Sequence, residues 1–185
     1  MSAPAWRAET ARLARRLSSA FRRIEERLGA SEADLRRPGE EGGWSALETA
    51  EHAALMNHHV LLLLGKIAAR CESRLSRGER PPTAPARPNE IGELGRLAER
   101  AFRWESPAHM VPGGHATPRE VASALRRQRQ RCLALLARMP EGEGALHAIS
   151  MSVVGGKLDL YGYLALVALH LERHGAQIDR ALRRI

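Results

Sequence analysis

The chain has 185 residues, with 29 Lys plus Arg against 21 Asp plus Glu, a net charge of +8 and two cysteines. That length suits one domain spanning 1–185, able to bury about 70% of the surface its unfolded form exposes. Cys71 and Cys132 lie far apart and form no CxxC pair, which excludes a disulfide framework and fits a reducing cytoplasm.

Charges recur every few residues over 1–16, where a signal peptide needs an unbroken apolar stretch. Leu13, Leu17, Phe21, Ile24 and Leu28 then recur at intervals of three or four and predict a helix over 4–28, ended by Gly29. Ser45-Ala46-Leu47-Glu48 is a capping box: the serine accepts from the Glu48 amide while that carboxylate reaches back. It opens a second helix to about residue 71. The crossover that follows, 72–116, holds Pro81, Pro82, Pro85, Pro88, Pro107, Pro112, Gly113 and Gly114. Loops beyond about 15 residues are uncommon unless functional or partly ordered. A short extra helix fits at 91–104, and Trp104 and Met110 are expected as partly buried anchors.

Thr117-Pro118-Arg119-Glu120 is a second capping box with proline at the first helical position, and its helix runs to Met139 before Pro140. A fourth helix follows Gly155-Gly156 with Asp159 as N-cap and extends to about residue 183. No strand-length alternation and no internal repeat competes with these helices. The expected fold class is all-α, a four-helix bundle with a long crossover between helices 2 and 3. The most apolar runs, 60–64 and 164–169, are much shorter than the roughly 20 residues of a membrane span, so no membrane partner is expected.

The positive excess is nearly all arginine, scattered over Arg15, Arg16, Arg22 and Arg23 and over Arg126, Arg127, Arg129 and Arg131. With two Phe and two Tyr there is little aromatic interleaving to stack on bases, and no nucleic-acid motif occurs. These segments read as solvated helix surface rather than as a nucleic-acid face.

Chemistry concentrates in the histidines. His170 and His174 stand four apart on one helix face, about one turn from each other, so both imidazoles can address one ion. His52, near the start of the second helix, is the candidate third ligand. Three nitrogens leave one position open on a tetrahedral ion, the arrangement of a catalytic rather than a structural site. His109, His115 and His147 fall in loops, His58 lies about 240° round the helix from His52, and His59 lies roughly 10 Å further along its axis. A zincin arrangement fails because Glu172 is two residues after His170, about 200° away, so Glu172 reads as a surface or interhelix ion-pair residue. A di-iron bundle fails on the count of inward carboxylates. Tyr163 and Gln177 share the face of His170 and His174, and Glu48 and Met56 that of His52. They are candidates to line a pocket or to accept the second N–H of a metal-bound imidazole, with Tyr163 and Gln177 the candidate catalytic residues.

Three segments match a known pattern: Gly43-Trp44-Ser45-Ala46-Leu47-Glu48-Thr49-Ala50-Glu51-His52; Trp104-x-x-Pro107 and Met110-Val111-Pro112-x-Gly114 to Thr117-Pro118-x-Glu120; and Gly156-Lys157-Leu158 to His170-Leu171-Glu172-Arg173-His174-x-x-Gln177-Ile178. In this order and spacing they resemble the DinB/YfiT-like superfamily over roughly residues 8–183. The resemblance implies a four-helix bundle, a divalent metal ion on three histidines matching His52, His170 and His174, and a homodimer. Some relatives are thiol-dependent transferases or isomerases using low-molecular-weight thiols, one is a metal-dependent hydrolase, and many have no known activity. Members often carry an acid about five residues after the first histidine, where this chain has Asn57.

The expected protein is a cytoplasmic metal-dependent enzyme. Neutral imidazoles hold Zn²⁺ or Ni²⁺ and the ion lowers the pKa of water or of a substrate thiol. It acts on a small-molecule substrate by thiol transfer to an electrophile or, second, by hydrolysis. The competing readings are a non-catalytic stress-response or interaction bundle whose metal is structural or absent and, third, a nucleic-acid binder.

Overall fold

Four long helices carry the chain in the computed structural model, which describes residues 3–39, 43–85, 107–151 and 156–183. Helix α1 (Ala3–Arg27) buries Leu13, Leu17, Phe21 and Ile24, the stripe predicted by the spacing of three and four. A one-turn helix that was not expected, α2 (Glu32–Arg36), follows; the Ser31 hydroxyl caps it by accepting from the Asp34 amide, and Leu35 anchors it in the core.

Helices α3 (Ala46–Ser76) and α4 (Pro118–Arg138) both open on complete capping boxes, Ser45 with Glu48 and Thr117 with Glu120. Asp159 caps α5 (Leu160–Leu182) by accepting from the Gly162 amide. Helix α3 outruns its expected end at residue 71 because Leu75 still packs against the core. Between α4 and α5 lies a small antiparallel hairpin, β1 (Ile149–Met151) and β2 (Gly156–Leu158), with Ile149 opposite Leu158 and Met151 opposite Gly156. Three-residue strands are too short to show alternation in sequence, and the architecture stays all-α.

Helix α5 packs against α1 and α3, and α4 packs against the same two helices from the other side. The seam between α3 and α5 carries the candidate site. Met110, on a 3₁₀ turn at Ala108–Met110, is half-buried against the core, as an anchor of the crossover should be; Trp104 and the expected helix at 91–104 lie outside the described residues. Among the described residues no helix is long and apolar enough to cross a membrane.

Interhelix ion pairs employ part of the arginine excess. Arg16 grips Glu172 through two hydrogen bonds of 2.7 and 2.6 Å, Arg23 and Arg27 share Asp179, and Arg129 pairs with Glu25. Glu172 therefore ties α5 to α1, the interhelix role expected of it. Such partly exposed pairs contribute about 0–1 kcal/mol each, so the apolar core carries most of the stability.

Two glycines test the packing in opposite directions. Gly142 has a φ of +99°, and a Cβ there would meet the buried Trp6 indole at 2.5 Å, so Gly142→Ala is expected to cost about 2 kcal/mol or more. Gly65 sits in the exposed middle of α3 with nothing within 4 Å of a Cβ, so Gly65→Ala is expected to stabilise by about 0.5–1 kcal/mol. Urea-unfolding midpoints that shift down for the first and up for the second check both.

Candidate metal centre

The seam brings His52 of α3 against His170 and His174 of α5. One ligand nitrogen from each lies within 4.8 Å of the other two, and among the described residues no fourth His, Cys, Asp or Glu joins them. Ring centroids are 4.9 Å apart for His52 and His174, 5.3 Å for His52 and His170, and 4.3 Å for the i, i+4 pair. Helix periodicity stacks His170 over His174, and the packing of α3 on α5 supplies the third ring.

Hydrogen bonds set which nitrogens face the centre. The His52 Nδ1–H donates to the Met110 carbonyl at 2.8 Å, which leaves Nε2 with its lone pair. The His174 Nδ1–H donates to Gln177 Oε1 at 3.1 Å, leaving its Nε2 also bare. That Nε2 stands 3.1 Å from His170 Nε2. The His170 Nδ1 is buried without a hydrogen-bond partner among the described residues. Two of the three imidazoles thus hold their protons on the side away from the cluster, as metal-binding imidazoles do.

The turn that presents Met110 is itself tied down. Glu51, beside His52 in sequence, accepts from the amides of Gly113 and Gly114, both at 3.2 Å. Glu48, considered above for the same region, instead completes the α3 cap by accepting from the Ser45 amide at 2.8 Å. Trp44, just before that cap, packs its ring 4.7 Å from His52.

A cavity of about 290 Å³ opens onto the three imidazoles. Trp44, Met56, Val60, Met110, Met151 and Leu166 form its apolar wall, and Arg173 and Gln177 add polar groups. Gln177 and Met56 therefore stand where their helix faces predict. Tyr163 does not: it is 3% exposed and is not among the lining residues. It shares the direction of His170 but lies two turns earlier, about 10 Å along the axis, with Leu166 between. Met151 and Pro107 line the cavity from the hairpin and the crossover, positions that no periodicity signals. Asn57, where relatives often carry an acid, is fully buried and points its amide at Gln128 Oε1 of α4, 3.4 Å away.

Burial is the main cause that holds all three histidines below their usual pKa. It lowers His52, pushes His170 well down with help from His174 and His52, and takes His174 to about 3. The donor set is therefore three neutral imidazoles at neutral pH, the form that binds Zn²⁺ or Ni²⁺. Below about pH 6.5 the unfolded chain takes up protons that the folded cluster refuses, so stability is fully present above that pH and is lost as the pH falls towards the folded values. His174 alone contributes a loss on the order of 1 kcal/mol per pH unit between about 6.5 and about 3. Metal-free protein is expected to unfold at progressively lower urea concentration over that window, and His174→Gln to show a shallower fall. Parallel slopes for the two proteins would contradict this protonation scheme.

A model of the DinB superfamily matches residues 6–178. Comparisons with curated proteins and with solved structures return no match. The matched span takes in most of α1, the His52 turn of α3, and α5 through His174 and Gln177, and the chain belongs to the DinB superfamily.

Proposed function

We propose that the chain is a divalent-metal-dependent enzyme that transfers a low-molecular-weight thiol to a small electrophilic substrate. The observation that carries this reading is the convergence of three neutral imidazoles at an apolar cavity, with two of their protons held on outward Nδ1 atoms. His52, His170 and His174 would hold the ion. When bound, Zn²⁺ or Ni²⁺ supplies Lewis acidity that lowers the pKa of a thiol or water, so that a nucleophile exists near neutral pH.

The chain's own residues do the rest. The Met110 carbonyl and Gln177 hold His52 and His174 in the tautomers that present Nε2. Met56, Val60, Met110 and Leu166 exclude water and favour an apolar electrophile, while Arg173 and Gln177 offer the polar groups that orient it. The cavity stands near the lower end of small-molecule pockets, about 300 to 1,000 Å³, which limits the substrate to a compact one. Hydrolysis is the second reaction open to the same site, and the apolar wall favours the thiol over water as attacking group. The reading places the protein in the thiol-rich cytoplasm as a homodimer, the assembly implied by the resemblance.

His174→Ala is expected to lose the ion and thiol-dependent turnover together while keeping the helical circular-dichroism signal. Gln177→Leu is expected to keep the fold and weaken metal affinity by about 10- to 100-fold. Metal content of tag-free protein, measured beside turnover across a panel of thiols and electrophiles, checks both. Undiminished turnover in metal-free His174→Ala would contradict a metal-dependent reaction at this site, and metal-loaded wild type without turnover across the panel would favour the non-catalytic bundle instead.

A further inference from the structure

A second group of imidazoles gathers outside the three-histidine centre. His59, half-buried on α3, meets His109 of the 3₁₀ turn edge to face, with ring centroids 4.6 Å apart and planes at 75°. His58 adds a third ring, 5.5 Å from His59 at 78°, and both His58 and His109 are exposed. His59 and His109 are 50 positions apart in sequence, so their meeting is made by the docking of the turn on α3 and not by helix periodicity.

We propose that His59 and His109 form a second, solvent-accessible site for a divalent cation of the Zn²⁺, Ni²⁺ or Cu²⁺ class, with His58 at its edge. Imidazole is the donor that suits these ions, and water can complete the shell because the site is open to solvent. Burial, His109 and His58 lower the His59 pKa, which keeps its donor nitrogen unprotonated at neutral pH. The site is separate from the first: His59 lies two turns beyond His52, about 10 Å along α3.

Occupancy would act on the cavity through the turn. Met110, next to His109, accepts the His52 Nδ1–H on its carbonyl and lines the cavity, as does Pro107. A cation clipped between His59 and His109 fastens that wall to α3. This second site does not depend on an ion at His52, and the test keeps the two apart.

Full-length, tag-free, metal-free protein is titrated with Zn²⁺ alone, by calorimetry and by metal content after gel filtration. Wild type is expected to take up a weaker equivalent that disappears in both His109→Ala and His59→Gln and survives in His52→Ala. Hydrogen exchange at the 108–110 amides is expected to slow on Zn²⁺ addition in His52→Ala and to remain unchanged in His109→Ala. A weaker equivalent that persists in both His109→Ala and His59→Gln overturns the proposal. So does a wild type that binds nothing beyond the equivalent removed by His52→Ala. His109 is exposed on a short turn, so its replacement leaves the core intact.

Discussion

The packing of three imidazoles into the α3–α5 seam, His52 and His174 buried and His170 half-buried with its Nδ1 enclosed, is the constraint around which the site is organised. A buried ring nitrogen needs a partner, and leaving a polar group without one costs about 1–3 kcal/mol. His52 and His174 meet that need on their outer nitrogens through the Met110 carbonyl and Gln177. His170 does not, since its Nδ1 is buried without a partner among the described residues. The orphaned Nδ1 costs stability, while three neutral imidazoles gathered in one place match the chemistry of cation binding.

The loop that serves His52 shows how far this organisation extends. Glu51 holds the Gly113 and Gly114 amides, the turn before them carries Met110, and the Met110 carbonyl orients His52. Adjacent residues on one helix thus supply the candidate ligand and the anchor for the loop that orients it. Glu172 plays a comparable part on the other side of the seam. Lying between the two α5 histidines in sequence, it points away from them and binds Arg16, fixing α5 against α1. The charged residues next to the histidines position the elements, and the cavity wall remains mostly apolar.

What could be read from the sequence divides along physical lines. Helix starts are written in local chemistry, a hydroxyl and a carboxylate three residues apart or an aspartate before an apolar run, and Ser45, Thr117 and Asp159 all cap as expected. The i, i+4 pair is equally local. The nearness of His52 is not: it depends on α3 packing against α5, which no spacing contains and for which the family resemblance supplied the expectation. The Met110 carbonyl is a main-chain group and leaves no mark in a sequence. Tyr163 shows the limit of helical phase, which gives direction round an axis but not depth along it. Helix α3 continued past its expected end because Leu75 found core to pack against, a tertiary effect overriding a local boundary.

The central claim is that the metal-free fold already presents bare Nε2 atoms to one point. Long-range ¹H–¹⁵N correlation spectra of the histidine rings test it most directly, because they distinguish the two tautomers of each neutral imidazole. In metal-free protein at neutral pH, His52 and His174 should both be neutral with the proton on Nδ1, and Zn²⁺ should shift their Nε2 signals without moving that proton. Finding His52 or His174 with its proton on Nε2, or charged at neutral pH, would contradict the account.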